Sequence, residues 1–152
     1  MAAGAAFNTV HFPMLLSTWA TDTIKFAVIG NSITPANTDS DPRFGAGGAQ
    51  DYSTAEVSGG NVPAGGMALT GQTLTLSGNV RTANAASPAV NYASNASNPA
   101  LAYWGIYYNV TQSNKVVRVV DLGGPLSLVP GWQENFNSTG SGTQPVSTAT
   151  NN

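Results

Sequence analysis

The clearest period in the chain is the alternation from Thr23 to Ile29, which sets Ile24, Phe26 and Val28 on one side and Lys25, Ala27 and Ile29 on the other. A period of two predicts a strand with one face in the core. Leu101 to Tyr108, LAYWGIYY, is apolar on both sides and dense in aromatics, as a central strand of a packed sheet is. Five residues, Asn109 to Ser113, join it to KVVRVVDL, Lys115 to Leu122, and the pair predicts an antiparallel hairpin. Weaker strand signals fall at Tyr52 to Val57, across Met67 to Leu76, at Leu126 to Val129 and at Gln133 to Asn137. One helical pattern stands apart: Phe12, Leu15, Leu16 and Trp19 follow i, i+3, i+4, i+7, and Pro13 suits a first helical turn. A helix that short must dock its apolar stripe on the sheet or on a neighbouring subunit.

The intervening stretches are polar and rich in turn formers. Residues 31 to 66 read as one long irregular excursion, a length that usually carries function. Residues 82 to 100, an Ala/Asn/Ser/Pro tract, read as an extended surface loop. From Ser138 the chain has almost no apolar content and is expected to stay unordered unless a partner holds it. Glycine (17) and proline (9) punctuate short apolar runs throughout, and no repeat of fixed period is visible. The predicted fold is all-β: an antiparallel, jelly-roll-like β-sandwich over 21–137, with an arm or short helix over 1–20 and a polar tail over 138–152.

Composition narrows the partners. At 152 residues the chain fits one domain with a real core, but only 8% of it is charged, where about 25% is usual. A net charge of −2 with five scattered Lys and Arg forms no basic stripe, so nucleic acid is not an expected partner. No apolar run approaches the roughly 20 residues of a membrane-crossing helix. The N-terminal MAAGAAFNTVHFPMLL has no Lys or Arg to serve a signal peptide, and a soluble, unprocessed chain is expected. There is no cysteine, which removes disulfides, thiolate metal sites and thiol nucleophiles. Asn-x-Ser/Thr triplets occur at Asn95, Asn109 and Asn137, as chance provides in so Asn-rich a chain.

Candidate chemistry is sparse. A strand ending in Gly30-Asn31-Ser32 resembles the first block of the Ser-Gly-Asn-His hydrolases, but a serine needs a positioned base. The one histidine, His11, lies far upstream, no histidine follows the last acid, Glu134, and the helices of that parallel fold are missing. Ser32 is therefore expected to hydrate a turn. Asp39 and Asp41 faintly suggest a calcium loop, without the closing acid at its twelfth position. Gly45 to Gly48 precedes neither Lys-Ser/Thr nor a helix, so a phosphate cradle has no support. Neither a cofactor nor a metal is expected. Trp104, Tyr107 and Trp132 offer a different reading, a fibre or adhesin module that stacks on host-surface glycans, although alternating aromatics in an apolar strand mainly pack a core.

The order of short motifs adds a further expectation. Trp19-Ala20-Thr21-Asp22-Thr23-Ile24-Lys25-Phe26-Ala27-Val28, then Thr34-Pro35-Ala36-Asn37-Thr38-Asp39, then Glu56-Val57-Ser58-Gly59-Gly60 with Ala64-Gly65-Gly66, resembles a family of tailed-bacteriophage virion structural proteins. Leu101 to Tyr108 and Val119-Val120-Asp121-Leu122-Gly123 occupy the places of that family's paired later strands, so the likeness spans roughly residues 15 to 129. The chain departs from it at Val62-Pro63, where the family has a tyrosine, and at residues 82–100, which replace an acidic stretch. The resemblance implies a non-enzymatic capsid cement or decoration protein on the outer capsid surface of the virion. Its implied partners are the major capsid protein and further copies of itself, as a homotrimer. Contacts are expected from the apolar arm, Phe7, Phe12, Leu15, Leu16 and Trp19, and from Arg43 and Phe44 in the long loop.

Overall fold

The computed structural model describes residues 5–6, 18–36, 38–58, 63–77, 80–86, 89–92, 100–128, 132–135 and 143–150. Its centre is the predicted hairpin. Strand β9 (Ala100–Asn109) pairs antiparallel with β10 (Lys115–Leu128), and β2 (Ile24–Ile29) lies antiparallel along the other side of β9. The sheet continues beyond β10 with β3 (Pro42–Arg43) and the parallel β4 (Gln50–Asp51), and beyond β2 with β5 (Met67–Ala68). A two-residue β1 (Ala5–Ala6) pairs on β10 as the seventh strand.

Three residues separate the faces of this sheet cleanly. Ala27 opposes Ile106, and Ile106 opposes Val119. On that face they join Ile29, Tyr108 and Val116, and the loop residues Phe44, Tyr52 and Ala55 cover them in one buried cluster. On the opposite face the Phe26 ring tilts against Tyr107 at a centroid distance of 4.9 Å. Gly105 leaves room for it: a Cβ there would stand 2.7 Å from the ring. Ile24, Phe26 and Ile29 are all fully buried, so β2 is covered on both faces rather than on one. Burying one such side chain stabilises by about 1.5–3 kcal/mol, which makes this doubly covered strand the anchor of the fold. A register slip at Val117 lets β10 keep the apolar Val116, Val117 and Val119 all inside.

Several expectations change. The expected strand at Tyr52 to Val57 is a 3-10 turn, Tyr52–Ala55, because Asp51 accepts from the Ser53 amide and caps it. Only Glu56 keeps strand character there, bridging Ile29. The strand expected across Met67 to Leu76 breaks into β5 and β6 (Thr73–Ser77), with Gly71 in the left-handed region at φ +62° between them. The expected surface loop over 82–100 instead contributes β7 (Val80–Ala86) and β8 (Ala89–Tyr92). Leu126 to Leu128 is not separate: β10 runs through Gly123-Gly124-Pro125 as a bulge and resumes pairing with β9. The polar tail is drawn in as well, since β12 (Thr143–Thr150) pairs with β7, and β7 with β6, in a three-stranded sheet. Backbone bonds need no apolar side chains, and β12 carries Pro145 at a register slip on an outer strand, where a missing N–H is tolerated. The last strand, β11 (Trp132–Asn135), pairs with β8.

The structure is thus all-β, with sheets of seven, three and two strands. Among the described residues no α-helix occurs; the helical pattern at 12–19 falls, apart from Thr18 and Trp19, outside them. No described helix is long and apolar enough to cross a membrane.

Candidate functional site

Polar residues of the quoted motifs converge on β2 and the end of the β9–β10 hairpin. A turn at Thr18, closed by the Asp22 amide donating to Thr18 O at 2.8 Å, leads into β2. It places Asp22, 9% exposed, against Asn109, which is fully buried. Asp22 Oδ2 accepts from Asn109 Nδ2 at 2.8 Å, from Gln112 Nε2 at 3.4 Å and from the Thr18 hydroxyl. Gln72 Nε2 donates to the carbonyls of Trp19 at 2.8 Å and Asp22 at 3.1 Å. Burial works to raise the pKa of Asp22, but the hydrogen bonds from Thr18, Asn109 and Gln112 outweigh it and hold the carboxyl below its ordinary value. Asn109 is committed to this network and to the Gln112 amide, so its triplet is not an exposed glycosylation site.

A second centre joins Glu56, Gly65 and Tyr108. Glu56 Oε1 accepts from the Gly65 amide at 2.7 Å, and the Tyr108 hydroxyl donates to the Gly65 carbonyl. The Tyr108 ring stacks on Phe44 at 4.5 Å and 15°. Burial, with the Glu56 charge adding to it, pushes the Tyr108 hydroxyl up to about 12.

The third centre orders the long loop. Asp39 Oδ2 accepts from the Ala36 amide at 3.1 Å and from the Tyr52 hydroxyl. Asp51 Oδ1 accepts from the amides of Gly45 at 2.8 Å and Ser53 at 2.9 Å and from Ser53 Oγ at 2.6 Å. Its burial opposes ionisation, yet these bonds outweigh burial and lower the carboxyl. Asp41 forms an ion pair with Arg43 at 2.9 Å and stands 3.9 Å from Lys115 Nζ. Arg43 and Lys115 face one another across β3 and β10, so Asp41 separates two like charges that would otherwise destabilise the pair.

These placements decide among the expectations. Asp39 and Asp41 have different protein donors rather than a shared cation cage, and among the described residues no three His, Asp or Glu are grouped to hold a metal. The Gly45 amide, the first of the candidate phosphate nest, points to Asp51. Ser32 is exposed in the bend after β2, while the Gly30 amide beside it donates to Ala55 O at 2.9 Å. His11 lies outside the described residues.

Of the expected contact residues, Phe7, Phe12, Leu15 and Leu16 also lie outside the described residues. Trp19 is fully buried and Phe44 is buried in the cluster against Tyr108, so both side chains pack within this chain. Arg43 keeps a partly exposed guanidinium, with Nη1 donating to Ser113 O at 3.3 Å. Tyr107, 6% exposed, cannot offer a ring face to a sugar, and Trp104 packs against the core cluster. Only the backbone of Trp132 is described.

Asp22, Asn109, Gln72 and Gln112 form a constellation that the sequence pattern does not single out. The available signal is a polar pair at the ends of two strongly apolar strands, where strand ends and turns need side-chain acceptors. Chemically, the whole arrangement binds loop backbone to sheet. Comparison with protein-family models, with curated proteins and with solved structures finds no match to this chain.

Proposed function

We propose that this protein is a non-enzymatic structural component of a tailed-phage virion: a cement or decoration protein that binds the outer face of the major capsid protein and, as a homotrimer, stabilises the shell. The observation that carries this reading is the convergence of the motifs on which the resemblance rests. Asp22 from the first segment, Asp39 from the second, Glu56 and Gly65 from the third and Tyr108 from the fourth are far apart in sequence. Glu56, Gly65 and Tyr108 bond directly to one another, while Asp22 bonds Asn109 at the end of β9 and Asp39 bonds Tyr52 in the loop that covers the sheet. Residues with such a role would mark a shared scaffold, which is what a recurring order of short motifs requires. In this reading the sheets form a jelly-roll-like sandwich.

Two physical features support a role in adhesion to a repeating surface. A surface poor in Lys and Glu loses less side-chain entropy on association and does not set symmetry-related copies against one another. Repeated weak contacts on a lattice multiply through avidity. Stabilisation then follows from binding the assembled shell and not its dissociated parts. Heating purified particles with and without the protein tests this: the depleted particles should release DNA at a lower temperature, and equal release temperatures would refute the cement role.

A further inference from the structure

The two edges of the seven-stranded sheet are finished differently. Along β2, β5 covers Lys25 and Phe26, and the segment 55–57 covers the rest through Val57 N–H to Val28 O and Gly30 N–H to Ala55 O, each 2.9 Å. Along the outer side of β10, β3 covers Lys115 and β1 covers Arg118 and Val119. From Val120 to Leu128 no described strand lies on that side. An open edge of this length is a template for another extended segment.

The segment seated next to this open stretch, on Arg118 and Val119, is the chain's own N-terminus. β1 is Ala5–Ala6, two methyl side chains, so main-chain bonding accounts for its attachment and an identical strand from another molecule would fit equally well. Eleven residues, 7 to 17, separate it from the turn at Thr18. Extended, they span about 36 Å at roughly 3.3 Å per residue, more than twice the radius of gyration of about 15 Å expected for a folded chain of this length. We infer that the outer edge of β10 at Arg118 and Val119 seats the N-terminal strand of a second copy, linking protomers by exchanged arms as closed symmetry permits. This holds wherever the protein acts, so its failure would leave binding to the capsid standing, and only a protein monomeric at every concentration would also remove the homotrimer from that reading.

The chain has no cysteine, which makes the test direct. Ala6 and Arg118 are direct partners in an antiparallel ladder, where Cα separations of about 4.5–5.5 Å suit a disulfide. Chains carrying Ala6→Cys and chains carrying Arg118→Cys are mixed, oxidised and analysed by non-reducing gel and peptide mass spectrometry. The expected result is a 6–118 disulfide between chains, with the double variant giving covalent oligomers. A double variant closed only within its own chain, or a mixture without a 6–118 link, overturns the inference. In parallel, removing residues 1–6 should reduce the solution mass to that of a monomer with an unchanged circular dichroism spectrum. A truncated chain that keeps the full-length mass overturns it too, as does a full-length protein that is monomeric at every concentration.

Discussion

Gly65 and Gly66 hold nearly the same left-handed backbone, φ +76° and +68°, in different surroundings. A Cβ on Gly65 would meet nothing nearer than Lys25 Nζ at 4.0 Å, the free end of a flexible side chain. On Gly66 it would stand 2.5 Å from the Phe26 carbonyl oxygen, 2.9 Å from its carbon and 3.0 Å from Ala27 Cβ. The left-handed conformation costs an ordinary residue about 1–2 kcal/mol at either position. At Gly66 the clash adds to this. Phe26 is fully buried and paired on both sides, with Met67 and with Tyr107, so its backbone cannot retreat without disturbing two ladders. Overpacking of that kind adds about 1–3 kcal/mol. Gly65→Ala should therefore lose about 1–2 kcal/mol and Gly66→Ala about 2–5 kcal/mol, while Gly65→Asn should lose less than Gly65→Ala because Asn visits this region readily. Urea unfolding followed by tryptophan fluorescence measures each loss from midpoint and slope. Equal losses for the two alanine variants would refute the packing of residues 65–66 onto β2.

Other perturbations follow from the same contacts. Asp22→Ala leaves Asn109 Nδ2 buried without its acceptor and should destabilise by about 2–3 kcal/mol in the same assay. Because the Asp22 carboxyl is depressed in the folded state, its contribution is present above the ordinary value of 3.8 and is lost as pH falls through the folded value, so Asp22→Asn should flatten the acid limb of stability against pH. Gly105→Ala should cost about 1–3 kcal/mol through the Phe26 ring, and Phe26→Leu in the same chain should recover part of it, with strict additivity counting against the contact. Burial raises Tyr52, Tyr107 and Tyr108 above 10, the latter two to about 12. Their stabilising contribution is complete below 10 and declines as pH rises through the folded values, so alkaline titration should show these three phenols ionising later than in the unfolded chain.

The elements that could be read from the sequence are those in which side chains specify the strand. β2, β9 and the first half of β10 are apolar on one or both faces and appear at or near their expected limits. β7, β8 and β12 were hidden because VRTANAA, AVNY and TQPVSTAT contain few large apolar residues, leaving pairing to the backbone, which a residue pattern does not display. The long loop misled differently. Tyr52 has strand character by type, but Asp51 immediately before it turns the chain by capping, and Tyr52 is buried as the donor to Asp39. The Asp22 network escaped notice because its members lie at 22, 72, 109 and 112 and meet only when β2 and β9 pair with Ile24 opposite Asn109.

The placement of the acids links the fold to the proposed role. Of seven carboxylates, Asp22, Asp39, Asp41, Asp51 and Glu56 each accept a hydrogen bond from another part of the chain. Four of these lie in the excursion from 31 to 66, which reads from the sequence as one long irregular stretch. Instead, Asp39 fixes a turn and a tyrosine, Asp51 fixes a 3-10 turn and Gly45, Asp41 separates two cations, and Glu56 holds Gly65. Carboxylates engaged in this way order the backbone before any partner arrives, which lowers the entropy lost on association. The same engagement ties these half-buried carboxylates to donors of the chain itself. The exposed described positions of the loop are uncharged, among them Asn31, Ser32, Thr34, Thr38, Ser40, Ala46, Thr54 and Ser58, while its four acids are half-buried. Identical copies can crowd such a surface together on a lattice without mutual repulsion, whereas a loop with those four acids directed outward would repel its neighbours at each symmetry contact.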